Sequence, residues 1–223
     1  MDTPPAPDQL QSLLAEAFTA ALVAGDPREA ERVVRDAIDA GLDQATIDEA
    51  VVAPAMRHIG DLWHRGEITV ADEHLATDIS YRVLALQREA FRVADRRTRE
   101  RVMLAAVEGE RHVLGLEMAG ALLRHEGFDV RMLGADLPID SLAWIVERHR
   151  PAIFGFTVTM PAARDLLPLA IDEVRRSAPS IGILVGGQGA PEDLSITDRL
   201  IAVSGVATVV EEADALLQRP SLN

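Results

Sequence analysis

The 223-residue sequence has no cysteine and few aromatics, with only two Trp and one Tyr. Without cysteine there is no disulfide, no thiolate metal site and no cysteine nucleophile. No apolar run reaches the roughly 18 residues that a membrane span needs. The opening Met1-Asp2-Thr3-Pro4-Pro5-Ala6-Pro7 lacks the basic and apolar regions of a secretory leader. A cytoplasmic protein with no membrane contact is therefore expected. Basic residues are also scarce relative to acidic ones, 22 against 36, for a net charge of −14. Phosphate recognition needs clustered cations, so direct nucleic-acid binding by this chain is not expected. What is present is a globular composition, 48% hydrophobic. It is enough to build one large domain or two small ones around real cores.

The two halves carry different periodicities. Residues 1–95 show helical spacing only and predict a four-helix bundle. After a loose tail over the first seven residues, a first helix runs from Asp8 to Ala24 and a second from Pro27 to Ala40. A third is read as capped by Thr46 with Glu49 and contains Pro54, so a kink or late start is expected. Thr69 with Asp72 caps a fourth helix that continues to Val93. The charged run Asp95–Arg101 reads as a linker. Residues 101–223 alternate short β-rich runs with amphipathic stretches. Strands are predicted at 102–107, 129–133, 153–157 and 182–185, with a weak fifth at 206–209. Helices are predicted at 113–125, 141–149 and 162–176, with a last one ending at Leu217. Five β/α units imply a parallel, flavodoxin-like α/β sheet with helices on both faces. In that fold ligands bind beyond the carboxyl ends of the strands.

Three loops at those ends carry suggestive chemistry. After the first strand come Glu110-Arg111-His112 and then Gly115. An imidazole there can ligate a metal, a carboxylate two residues away can fix its tautomer, and the glycine admits something large. After the third strand, Thr157-Val158-Thr159 places hydroxyls at alternate positions. After the fourth, Gly186-Gly187-Gln188-Gly189 permits close backbone approach, and it is neither a P-loop nor a dinucleotide fingerprint. Taken singly, the first two read better as a solvated histidine and a β-branched strand end, and only the third reads equally as a tight turn.

Together, Glu-x-His-x-x-Gly, Thr-x-Thr and Gly-Gly in this order resemble the cobalamin-binding domain family over residues 101–223. The resemblance implies a cobalt corrinoid cofactor with His112 as its lower ligand. It also implies that Thr157, Thr159, Gly186 and Gly187 line the slot for the displaced nucleotide tail, with loop 134–138 flanking the lower corrin face. Glu110 departs from the Asp of many members, methyl carriers in particular.

In the helical half, Trp63-His64 ends helix three and Glu73-His74 opens helix four, all at one end of the bundle. This spacing resembles the Trp-x9-Glu-His signature of CarH-type adenosylcobalamin photoreceptor regulators. There the resemblance implies that residues 1–95 cap the upper cofactor face. Trp63 would cover the adenosyl group, Glu73 would accept hydrogen bonds from it, and His74 would shape the pocket. His64 would be a possible upper metal ligand after light. Such regulators begin with a helix-turn-helix domain, and too few residues precede the first helix here to form one. Either a standalone, non-enzymatic sensor that signals to a partner regulator protein or an excised module is expected, the Met1 and Pro-rich start favouring the first. Assembly into a homo-oligomer is compatible with both. The competing readings are a corrinoid carrier of a methyltransferase system and a cobalamin or redox sensor that does not use light.

Overall fold

A computed structural model describes residues 6–92, 97–191, 194, 197 and 199–219. Most of the expected tail (1–5), the helix end at Val93, linker residues Asp95 and Arg96, and much of the segment from Glu192 lie outside these residues. The chain divides into two units, Met1–Arg92 and Val93–Asn223.

The first unit is a four-helix bundle. Its helices are α1 (Pro7–Val23), α2 (Pro27–Asp39), a long third helix and α5 (Val70–Ala90). Asp26 caps α2, its carboxylate accepting the N–H groups of Arg28 and Glu29. The third helix starts with α3 (Gln44–Ile47), widens into a π-turn over Asp48–Val52 and continues as α4 (Ala53–His64). Its cap is Asp43, whose carboxylate accepts the Thr46 N–H at 2.8 Å, and not the expected Thr46 with Glu49. In the π-turn the Ala53 N–H reaches back five residues to the Asp48 carbonyl. Pro54 follows at once, and its missing N–H would break an α ladder, so the wide turn replaces the expected kink. Helix α5 has the expected capping box: the Asp72 N–H donates to Thr69 Oγ1 at 3.3 Å, and the Thr69 N–H donates to Asp72 Oδ2 at 2.8 Å. Phe18, Leu22, Val34, Val51, Val52, Ile59, Ile79 and Val83 fill the core. Each fully buried apolar side chain of this size contributes about 1.5–3 kcal/mol.

The second unit is a five-stranded parallel sheet in the order β2-β1-β3-β4-β5, the flavodoxin-like arrangement. Its strands are β1 (Arg101–Val107), β2 (Asp129–Leu137), β3 (Ile153–Thr157), β4 (Gly182–Gly186) and β5 (Leu200–Ala202). Helices α6 (Leu114–His125) and α10 (Val209–Gln218) pack together on one face. The other face carries α7 (Leu142–His149), the short α8 (Pro161–Arg164) and α9 (Leu167–Ser177). Strand β1 is buried from Val102 to Val107 because both its faces are covered, which explains its unbroken apolar run.

Two strand expectations are corrected. Strand β2 runs four residues past Leu133, through two register shifts against β1, and takes in most of the loop expected at 134–138. The fifth strand is Leu200–Ala202, and Val206–Thr208 is instead a 3₁₀ turn entering α10. The helix expected at 162–176 is two pieces, α8 and α9.

Candidate functional site

Sheet register brings three strand ends level. Ala106 of β1 is opposite Thr157 of β3, which is opposite Gly186 of β4. The loops leaving these strands therefore meet at one edge.

Glu110 is the centre of this cluster, with no solvent exposure. One carboxylate oxygen accepts both the His112 N–H (2.8 Å) and the ring Nδ1 of His112 (2.6 Å). The other accepts the backbone N–H groups of Thr159 (2.6 Å) and Met160 (2.8 Å) from the loop after β3. Burial alone would raise this carboxyl, but the His112 ring and the three backbone donors outweigh it and hold its pKa at about 2. An ionised carboxylate on Nδ1 fixes the tautomer with a proton on Nδ1, which makes Nε2 the lone-pair nitrogen of the ring. The His112 side chain is about half exposed, 48%.

The remaining loops lock around this pair. The Asp136 N–H donates to the Glu110 carbonyl, and its carboxylate accepts the Gly109 N–H at 2.7 Å. Asp136 itself lies at φ +53°, an unusual conformation held by these two contacts. Glu108 accepts the Ile139 N–H at 2.9 Å. Across the cluster, Gly187 has φ +98°, and a Cβ there would sit 2.1 Å from the Val158 carbonyl oxygen. Gly189 packs in the same way against Thr159, whose carbonyl oxygen a Cβ would meet at 2.6 Å. The close approach made here is between the protein's own loops. Gly115, in the first turn of α6, differs: a Cβ would meet nothing within 4 Å. The fold's own packing gives no reason for a glycine at that position.

In the bundle, Trp63 and His64 close α4, their rings edge-on with centroids 5.0 Å apart. Glu73, in the first turn of α5, bonds His74 Nδ1 at 2.6 Å and accepts the Thr77 hydroxyl at 3.0 Å. Trp63 is exposed, as are Val23, Val70 and Leu75 at the same end. A Cβ on Gly25 of the α1–α2 turn would touch Leu75, which places that turn beside the start of α5. The bundle thus presents an uncovered apolar end edged by an acid–imidazole pair.

The sequence reading missed Met160, Gly189, Glu108 and Asp136 as parts of the clamp. Met160 and Gly189 act through backbone geometry, which side-chain motifs do not encode, whereas Glu108 and Asp136 use carboxylates whose partners are backbone N–H groups of other loop positions. Gly189 left a signal as the third glycine of its loop, and Asp136 lies in the loop 134–138 to which the resemblance pointed. Among the described residues no cluster of three or more His, Asp or Glu side chains can hold a bare metal ion. One oriented imidazole beside open space suits a metal that brings its other ligands in a macrocycle, so the residues fit a cobalt corrinoid. No helix among the described residues is long and apolar enough to cross a membrane.

Comparison with known proteins identifies the family and the cofactor class. Residues 14–87 and 100–217 each match a B12 binding domain, and the chain belongs to that family. Its cofactor is accordingly a cobalamin-type corrinoid. The HTH-type transcriptional repressor CarH of Myxococcus xanthus is 29% identical over 83% of this chain, which spans only 61% of that protein. Dimethylamine corrinoid protein 1 of Methanosarcina acetivorans is 24% identical over 68% of this chain and 72% of its own length. The solved monomethylamine corrinoid protein of Methanosarcina barkeri shares the fold, with a TM-score of 0.75 at 16% identity over 93% of this chain and 98% of its own.

Proposed function

We propose that this chain is an adenosylcobalamin-binding light sensor, not an enzyme, and that it passes its signal to a partner regulator protein. When bound, the cofactor supplies a cobalt–carbon bond that light breaks. His112 offers Nε2 as the lower metal ligand, oriented by Glu110 and the Thr159–Met160 amides. Gly115 leaves room at the start of α6, and Thr157, Thr159, Gly186 and Gly187 would flank the tail slot, Gly187 by letting its loop close on Val158 and not by leaving space itself. Trp63 would cover the cofactor with a flat apolar face, Glu73 would accept hydrogen bonds from the adenosyl group, and His74, bonded to Glu73, would shape the pocket. His64 is the imidazole available on that side once the cover is lost. Contacts made by the bundle in the adenosyl-bound state disappear with that group, so the equilibrium between bundle and sheet arrangements shifts by that differential contact energy.

The observation that carries the light-sensing reading is the exposed apolar bundle end at which α4 closes on Trp63 and His64 and α5 opens on the Glu73–His74 pair. The similarity to a CarH repressor supports it. The similarity to a dimethylamine corrinoid protein favours a second reading, a corrinoid carrier of a methyltransferase system. A cobalamin or redox sensor that does not use light is a third. Absorption spectra of the protein reconstituted with adenosylcobalamin, recorded in darkness and after green light, separate the readings. Tight binding in the dark and a permanent spectral change with release of the adenosyl group support the sensor. A light-stable spectrum, or methyl exchange with an added methyltransferase, contradicts it.

A further inference from the structure

The bundle holds a polar group that the proposed function does not use. Asp48, inside the π-turn, and Gln87, near the end of α5, are both 0% exposed. Gln87 Nε2 donates to Asp48 Oδ1 at 3.0 Å. The other oxygen of each group, Asp48 Oδ2 and Gln87 Oε1, is buried with no hydrogen-bond partner. Two buried acceptors left without a donor have given up water and gained nothing in exchange, which is unfavourable for the folded bundle. A single proton removes both deficits: on Oδ2 it turns that acceptor into a donor, and its natural acceptor is Gln87 Oε1.

We propose that Asp48 is a buried proton-binding site, its carboxyl protonated in the native bundle and joined to Gln87 as a cyclic acid–amide pair that ties the π-turn to α5. The proton leaves to solvent when the pH rises. The resulting buried carboxylate then faces the lone pairs of Gln87 Oε1, and the junction loosens.

The surroundings agree. Burial pushes the Asp48 carboxyl up to about 7, against the opposing influence of the Gln87 hydrogen bond and of the nearby Gln44 amide, which makes no hydrogen bond to Oδ2. Two charges act on it in opposite directions: Arg88 on α5 favours ionisation and Glu49 in the π-turn disfavours it. Of the titratable groups on the other packed helices, Asp8 and Glu16 on α1, Arg28, Arg32, Arg35, Asp36 and Asp39 on α2, and Arg57, His58 and Asp61 on α4 are on exposed positions. The half-buried Glu29 and Glu31 of α2 are ion-paired, Glu29 with Arg32 and Glu31 with Arg35 and Arg82. The site is remote from the Trp63 end, since Glu73 and Gln87 are separated by about 21 Å of helix at ~1.5 Å per residue.

The sign is fixed by the direction of the shift. The native carboxyl binds its proton more tightly than the unfolded one, whose pKa is about 3.9, so the stabilisation is complete below that value and is lost as pH rises towards about 7. Asp48→Asn keeps the pair intact, with an amide N–H in place of the acid O–H. Urea unfolding of the full chain and of this variant, from pH 4 to 9, tests the proposal. The unfolding constant of the wild type should rise relative to the variant by up to about tenfold per pH unit between pH 4 and 7, then level off. In ¹³C spectra of the wild type, the Asp48 carboxyl carbon should titrate near neutrality. A wild type that tracks the variant at every pH, or an Asp48 carbon already ionised at pH 5, overturns the proposal. If the variant does not fold, the carbon titration decides alone.

Discussion

A Cβ at Gly187 would lie 2.1 Å from the Val158 carbonyl oxygen at φ +98°, whereas one at Gly115 would meet nothing within 4 Å. The two glycines therefore answer to different demands. Gly187→Ala should cost the apoprotein at least about 2 kcal/mol, read by denaturant unfolding, through clash and left-handed strain. Gly115→Ala should leave the apoprotein as stable or more stable by about 0.5–1 kcal/mol, because alanine suits a helix better. It should nevertheless weaken cobalamin binding by about tenfold, a loss of about 1.4 kcal/mol, if the cofactor uses that space. Unchanged binding with raised stability would show that the opening serves no ligand. The Glu110–His112 pair was legible in the sequence because the two residues are neighbours in one loop. The amide clamp behind it was not, because Thr159 and Met160 contribute only backbone N–H groups, which every residue but proline carries.

At the scale of elements, caps and short strands decide what can be read. Asp43 and Thr46 are both good cap residues, and Thr46-x-x-Glu49 also fits a capping box. The longer register won, and it buries Gln44 and Ile47 in the bundle. Asp43→Ala should therefore cost about 1 kcal/mol in thermal or urea unfolding, with Thr46→Ala within about 0.5 kcal/mol. Equal losses would return the cap to Thr46. The π-turn left a partial trace, since Pro54 announced an irregularity but not its form. The fifth strand was misplaced because the β-branched run near Val206 outweighed the three-residue Leu200–Ala202, which is too short to show a period. The first four strands were legible because burial on both faces made each an apolar run bounded by turn residues.

At the scale of the whole molecule, the change from helical to alternating β/α periodicity made the bundle-then-sheet order readable, and the parallel 2-1-3-4-5 sheet followed from it. Which cofactor form and signal the two units serve did not follow from periodicity, since carriers and regulators share the architecture. Trp63→Ala addresses this. It should leave corrin affinity within about threefold, yet remove a preference for adenosyl over methyl cobalamin worth about 1–2 kcal/mol of apolar cover. Equal discrimination before and after the substitution would remove the covering role. The claim on which the rest depends is that the His112 imidazole binds cobalt. Its most direct measurement is electron paramagnetic resonance of the protein loaded with cob(II)alamin, prepared with unlabelled and with ¹⁵N-labelled histidine. Ligation by His112 requires the nitrogen splitting to change from a triplet to a doublet on labelling, and this label-sensitive doublet to be lost in His112→Ala. A triplet that survives the label would assign the nitrogen to the cofactor's own tail and contradict the account.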